Sequence, residues 1–209
     1  MRLNCWRLGL ALSLFLVAVA TRPAQAQTDV ALSVYGTFTG TTNYNGDLEH
    51  QKSADALGGI FELRHIRNPL IGYEATYSFN RANQVYTYTG GVPAGSEPGI
   101  HPDGVSANAH EITGDWIFSV RIGRLEPFAL VGGGLMLTEP VSGQSQTKSS
   151  SEAVFVYGAG LDWRMVSHFG LRVQCRGNVY KATAISTAYG SNTAFMHTAE
   201  PMIGAYVKF

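Results

Sequence analysis

The feature that most constrains this chain is a strict two-residue alternation. In the segment FGLRVQCRGNVY, Phe169, Leu171, Val173, Cys175, Gly177 and Val179 fall on one side, and Gly170, Arg172, Gln174, Arg176, Asn178 and Tyr180 on the other. A strand stacks both arginines on one face, whereas a helix scatters residues of this spacing around an arc. The pattern recurs. Phe155, Tyr157, Ala159, Leu161 and Trp163 alternate with Val156, Gly158, Gly160, Asp162 and Arg164; Trp116, Phe118, Val120 and Ile122 oppose Asp115, Ile117, Ser119 and Arg121. Ile71, Tyr73, Ala75, Tyr77 and Phe79 oppose Gly72, Glu74, Thr76, Ser78 and Asn80. The alternation is poorer from Gly59 to Arg67, where Phe61 and Leu63 oppose Glu62 and Arg64 but His65 and Arg67 share the apolar register. Pro127 to Leu137 is apolar on both faces, with Gly132, Gly133 and Gly134 permitting close approach. Asp29 to Gly40 and Ala199 to Phe209 complete a set of eight strands.

The connections alternate in length. Asn68-Pro69, Gly123 to Glu126 and Ser167-His168 read as tight turns. Between them lie longer polar stretches, about 41–57, 87–108, 139–151 and 184–197, rich in Gly, Ser, Thr, Asn and Pro. An even strand count places both chain ends on the short-turn side.

Composition then separates two all-β architectures. Charged residues make up 14% of the chain, against about 25% in an ordinary soluble domain. Glycine numbers 24, tyrosine and phenylalanine 10 each, and mean hydropathy is zero. A soluble β-sandwich would carry a polar face dense in Lys, Glu and Thr. Here that face is sparse and mixed. The balance fits a transmembrane barrel of antiparallel strands, apolar outward and polar inward. Assigned inward, the charges are Glu62, Arg64, Glu74, Asp115, Arg121, Asp162, Arg164, Arg172, Arg176 and Lys208, six cationic and four anionic. On the lipid face, a charge near the midplane would cost about 2–4 kcal/mol. Eight strands enclose an interior that side chains fill, so paired charges with Tyr and Met residues are expected as its core. Aromatic residues towards strand ends (Trp116, Phe155, Trp163, Phe169, Tyr180, Phe209) are expected as interfacial girdles.

The N-terminus reads as a leader. Arg2 and Arg7 precede the 13-residue apolar run Leu8 to Ala20, and Ala24-Gln25-Ala26 follows Pro23. This is a charged, apolar and small-residue order typical of a cleaved signal peptide. The run is shorter than the roughly 17–25 residues of a membrane-spanning helix. Residues 1–26 are thus expected to be removed and 27–209 to form one barrel domain. Cys5 leaves with the leader and Cys175 stands alone, so the mature fold holds no intrachain disulfide. Zero formal charge and the lack of a basic run argue against nucleic acid.

The chain resembles the OmpA/OmpX-type small outer-membrane barrels of the outer membrane protein β-barrel domain family. Three features carry the resemblance over the mature chain. The end Met202-Ile203-Gly204-Ala205-Tyr206-Val207-Lys208-Phe209 is similar to the terminal signal read by the barrel-insertion machinery. Glu126-Pro127-Phe128-Ala129-Leu130-Val131-Gly132-Gly133-Gly134-Leu135 is similar to the family's glycine-rich fifth strand. The third is the layout of long loops and short turns. No further domain is expected after the barrel, so the resemblance does not imply peptidoglycan binding.

No catalytic, cofactor-binding or metal-ligating residue is assigned, and no cofactor is expected. His110-Glu111 and His197, with Ser186 and Ser191 in the neighbouring loop, invite comparison with lipid-modifying barrels, but no motif joins them into a nucleophile and base. His50, His101 and His168 fall at no metal-ligand spacing. Gly132 to Gly134 lacks the lysine and following helix of a phosphate loop. Cys175 falls on the lipid-facing register. Tyr86-Thr87-Tyr88-Thr89 reads as interfacial aromatics. The expectation is a monomeric, non-enzymatic barrel in the bacterial outer membrane, in contact with lipid, inserted through the strand ending at Phe209, with an extracellular ligand met by its loops. The alternatives are a narrow porin-like channel for small solutes or ions and, third, a lipid-modifying enzyme.

Overall fold

A computed structural model of the chain describes residues 27–44, 49–67, 70–88, 105–141, 147–183, 185 and 194–209. The expected leader, residues 1–26, lies outside the described residues, as do most of the longer loops. Ten strands follow in order: β1 (Gln27–Thr39), β2 (Thr42–Tyr44), β3 (Glu49–Ser53), β4 (Ala56–Ile66), β5 (Ile71–Tyr88), β6 (Val105–Ser119), β7 (Leu125–Pro140), β8 (Ser150–Arg164), β9 (Phe169–Lys181) and β10 (Phe195–Lys208). From β4 to β10 each strand pairs antiparallel with the next. β1 pairs with both β4 and β10, so eight strands close on themselves. No helix of the described residues is long and apolar enough to cross a membrane. A sheet can cross only when closed, because an open edge would leave backbone groups unpaired in hydrocarbon.

Burial is inverted relative to a water-soluble protein. Leu32, Val34, Ile112, Trp116, Val173 and Ile203 are each more than half exposed, while Glu62, Arg172 and Arg176 have no solvent contact. The alternation delivers this pattern: along β9, Leu171, Val173 and Cys175 face outward and Arg172, Gln174 and Arg176 inward. Cys175 is exposed on the outer wall, on the register its sequence position indicates. Buried Tyr35, Met136, Met196, Met202 and Tyr206 place tyrosine and methionine in the interior as expected. Tyr180 departs from the girdle expectation. It points inward, 7% exposed, with its hydroxyl 3.1 Å from Thr198 Oγ1, because it shares the register of Arg176 and Asn178.

The strands run further than the sequence pattern indicates. β5 extends eight residues beyond Asn80 to Tyr88, and β6 begins at Val105 rather than near Ile112. The first long connection contains β2 and β3. They pair with each other, and β3 pairs with β5 in the line of β4. The β4–β5 ladder sets Gly58 opposite Asn80 and the β3–β5 ladder sets Ser53 opposite Gln84, so the β3–β4 side carries one extra residue, a bulge. Thr37 Oγ1 holds the bulge by accepting from Ala56 N at 2.9 Å. In the upper part of β6 the alternation persists with its polarity reversed: Val105 and Ala107 are buried and Ser106 and Asn108 alternate with them.

Opposite these extensions the turns are short. Ile122 and Leu125 exchange backbone hydrogen bonds of 2.8 and 3.1 Å around Gly123-Arg124, and Gly123 takes φ +64°, the left-handed region glycine allows. The glycine run of β7 lets strands approach closely: a Cβ on Gly134 would lie 1.9 Å from the Ile112 carbonyl oxygen, whereas one on Gly114 meets nothing within 4 Å. Gly134→Ala should therefore destabilise the barrel by about 1–3 kcal/mol, the range for overpacking, and Gly114→Ala should change stability by less than about 0.5 kcal/mol. Urea unfolding of the two variants in detergent micelles is the check.

Candidate functional site

The barrel interior divides into a charged plug and an outer cup. The plug begins at the short-turn rim, where Arg121 Nε donates to Glu126 Oε2 at 3.1 Å and its guanidinium also reaches Gln27. Lys208 Nζ lies 3.7 Å from the same carboxylate, and Arg164 donates to the Gly123 carbonyl at 3.0 Å. Deeper in, Arg172 of β9 donates through Nε to Asp162 Oδ1 at 2.8 Å and through Nη2 to Asp29 Oδ1 at 3.0 Å. These contacts tie β9 to β8, its neighbour, and to β1, which lies beyond β10. Arg64 of β4 donates through Nε to Glu74 Oε2 at 2.7 Å and through Nη1 across the lumen to Asp162 Oδ2 at 3.3 Å. Its guanidinium carbon lies 4.1 Å from the centre of the Phe128 ring, a cation–π contact. Phe128 is the aromatic of the Glu126-Pro127-Phe128 sequence, so that motif supplies the floor on which Arg64 rests.

Arg176 forms the next level. Its Nη2 donates to Thr113 Oγ1 at 3.0 Å and to Asp115 Oδ2 at 3.1 Å, and its Nη1 lies 3.9 Å from Glu74 Oε1. Gln174 reaches across to Glu62. Ile117, Leu130 and Val156 fill the remaining side of the lumen. The inward charges pair as expected, and the partners are Asp162 for Arg172 and Asp115 and Glu74 for Arg176. Arg121 and Arg164 instead sit at the rim, because they lie at the ends of their strands.

The charge balance reverses the sequence expectation. Among the described residues, the buried cationic side chains are Arg64, Arg172 and Arg176, whereas seven carboxylates are buried: Asp29, Glu62, Glu74, Glu111, Asp115, Asp162 and Glu200. Asp29, Glu111 and Glu200 were not assigned inward from the sequence. The period carries the signal: steps of two back from Asp115 pass Thr113 and reach Glu111, and one such step from Met202 reaches Glu200.

The outer cup lies beyond Arg176. It is lined by Thr37, Thr39, Ser78, Asn80, Glu111, Thr138, Asn178, Tyr180, Thr198 and Glu200, around a cavity of about 30 Å³. Asn178 Nδ2 donates to Glu111 Oε2 at 3.1 Å. Ala182 and Ile185, which follow β9, are buried, and Ile185 packs on Val105 and Ala107 of β6, three strands away. Its carbonyl accepts from Lys148 N at 2.8 Å.

Among the described residues, His110 and His197 each pair with a tyrosine. His110 lies 2.9 Å through Nδ1 from the Tyr77 hydroxyl and stacks near Phe79; His197 pairs through Nε2 with the Tyr157 hydroxyl at 2.5 Å. Both pairs sit on the exposed outer wall. Ser167 Oγ lies 2.9 Å from His168 Nδ1, but in a short turn and not at the outer rim. The side chain of His50, His101, Ser186, Ser191 and the side chains of Tyr86 to Thr89 lie outside the described residues.

A closed antiparallel barrel with a charged, filled lumen and an apolar outer wall is a transmembrane barrel of the bacterial outer membrane. The chain belongs to the outer membrane protein beta-barrel domain family, whose pattern its residues 11–199 match. No functionally curated protein matches it in sequence. Among solved structures it is similar to the outer membrane protein OprG of Pseudomonas aeruginosa (TM-score 0.60, 10% identity, covering 89% of this chain and 97% of OprG). It is also similar to Neisserial surface protein A (TM-score 0.53, 11% identity, 90% and 100% covered). A third is Ail, the attachment invasion locus protein of Yersinia pestis (TM-score 0.52, 16% identity, 88% and 99% covered). At these identities the likeness is one of fold.

Removing Arg172 would strip Asp29 of its guanidinium and leave Asp162 only the 3.3 Å contact to Arg64, a loss of about 3–5 kcal/mol for a buried pair broken on one side. The rim pair of Arg121 is partly exposed and is worth about 1 kcal/mol or less. Unfolding in micelles should thus rank Arg172→Met well below Arg121→Gln, which should stay near the wild-type chain.

Proposed function

We propose that this chain is a non-enzymatic outer-membrane anchor that presents surface loops, with a lumen that does not conduct. The observation that carries this reading is the plug: three guanidiniums bridge carboxylates from β1, β4, β5, β6 and β8 within a lumen eight strands wide. A pore for solutes would have to break several buried ion pairs, each costing several kcal/mol. Recognition then falls to the loops that the rigid wall holds outside the membrane, the stretch between β5 and β6 being the longest. Export is proposed to proceed through cleavage after Ala26, and insertion through β10 and its terminal Phe209. The catalytic alternative has little support, since the rim histidines pair with tyrosines.

Planar-bilayer recording tests the reading. The purified barrel should give no discrete conductance steps; regular single-channel steps would replace the anchor reading with the channel. Substituting residues 89–104 by a short Gly-Ser linker should leave the heat-shifted folded band on a gel unchanged, as a loop outside the closed wall would. Mass analysis of the outer-membrane form should give an N-terminus at Gln27, and Phe209→Ala should lower the amount reaching that membrane.

A further inference from the structure

The two ends of the barrel carry opposite charge. The long connections, residues 41–57, 87–108, 139–151 and 184–197, hold six acids against Lys52 and Lys148. Of the side chains that reach the surface at the short-turn rim, Arg67, Arg121, Arg124, Arg164 and Lys208 are cationic and Glu126 is anionic. Glu126 is already shared by Arg121 and Lys208, at 3.0 and 3.7 Å. Among the described residues, no carboxylate pairs with Arg67, Arg124 or Arg164, and Arg67 and Arg124 are exposed. The rim thus carries an excess of arginine that the protein itself does not neutralise, at the end of the barrel that faces the periplasm.

Two of these arginines are held together. Arg164 N donates to the Arg124 carbonyl at 2.9 Å, and the Arg164 guanidinium donates to the Gly123 carbonyl at 3.0 Å. The β6–β7 turn therefore lies against the end of β8 and sets Arg124 beside Arg164. At the same corner the outer wall ends in an apolar row: Ile122 stands opposite Leu125, and Leu125 opposite Trp163. The next turn adds Met165 and Val166, and all five are more than 40% exposed. A turn bathed in water is built from polar residues, whereas exposed aliphatic side chains around a tryptophan mark the boundary between hydrocarbon and headgroups. Arg124 and Arg164 each adjoin a member of that row in sequence, which sets them at the depth of the lipid phosphates. An arginine there lays its stem on the apolar row and its guanidinium on phosphate, through paired hydrogen bonds. A zwitterionic headgroup brings its own cation to that phosphate; an anionic headgroup leaves it to the protein. We infer that the Arg124–Arg164 corner binds the phosphate of an anionic phospholipid in the periplasmic leaflet, with the acyl chains lying on Ile122, Leu125 and Trp163.

Spin-labelled phosphatidylglycerol and phosphatidylcholine are the probes, each at trace level in phosphatidylcholine bilayers that hold the folded full barrel. In electron spin resonance the fraction of label immobilised by the protein should be at least twofold larger for phosphatidylglycerol. Arg124→Gln/Arg164→Gln should bring the two lipids to equality while keeping the heat-shifted band. Arg124→Glu should do the same. It changes an exposed side chain and leaves the Arg164 hydrogen bond to Gly123 in place, so it keeps the inference testable if the double variant fails to fold. Lys181→Gln, at the exposed far end of β9, should leave the preference unchanged. Equal immobilisation of the two lipids by the wild type would overturn the site, as would a preference that survives the Arg124 variants or is lost in Lys181→Gln. So would a wild-type barrel that retains poly-glutamate on these bilayers but shows no preference for phosphatidylglycerol, since the rim would then serve an acidic polypeptide.

Discussion

The whole structure depends on the guanidinium of Arg172. It sits at the centre of a barrel whose outside is hydrocarbon, so it cannot borrow water from the wall. Its charge is met by carboxylates delivered from other strands: Asp162 from β8, Asp29 from β1 and, at 3.7 Å, Glu62 from β4 and Glu74 from β5. These contacts require the sheet to be closed and in register, because a slip of one residue would turn every arginine and every acid to the lipid. Arg64 and Arg176 repeat the arrangement at neighbouring levels. The ion pairs serve less as a source of net stability, given what it costs to desolvate them, than as a condition only one register satisfies.

The outer wall obeys the complementary rule. Apolar side chains already facing lipid gain no further hydrophobic stabilisation by touching one another, so the wall is held by backbone hydrogen bonds and by side chains reaching across strands. Tyr157 illustrates this. It lies over Gly177 of β9, whose missing Cβ leaves the room, and reaches His197 of β10. One aromatic thus spans three strands where no buried core assists it.

The membrane-spanning part of this fold was legible because period two is the only pattern that lipid on one side and a polar core on the other permit. Arg172 and Arg176 on one face of β9, or Glu74 opposed to Tyr73, report orientation directly. What the pattern could not report is partner choice: that Arg64 crosses the lumen to Asp162 depends on a register fixed by seven other strands. It also fails where lipid ends. The upper part of β5 and the β2–β3 hairpin carry no clean alternation, and the upper part of β6 carries it with apolar Val105 and Ala107 on the inner face. The cup was missed for a related reason. Glu111 follows His110, and the pair reads as a rim dyad until the backbone turns one outward and the other in.

Pro201 gives the wall one built-in discontinuity. Tyr35 is opposite Met202 and Phe38 opposite Ala199, yet Gly36 and Thr37 have no ladder partner in β10 between them. Proline has no N–H to offer, and the gap lies on the seam where the first strand meets the last. Every other junction of the barrel joins strands close in sequence and can zip from a turn. This one closes a ring, and it does so with a joint that lacks two rungs. The ring is therefore closed by a ladder that is two rungs short at the level of Pro201.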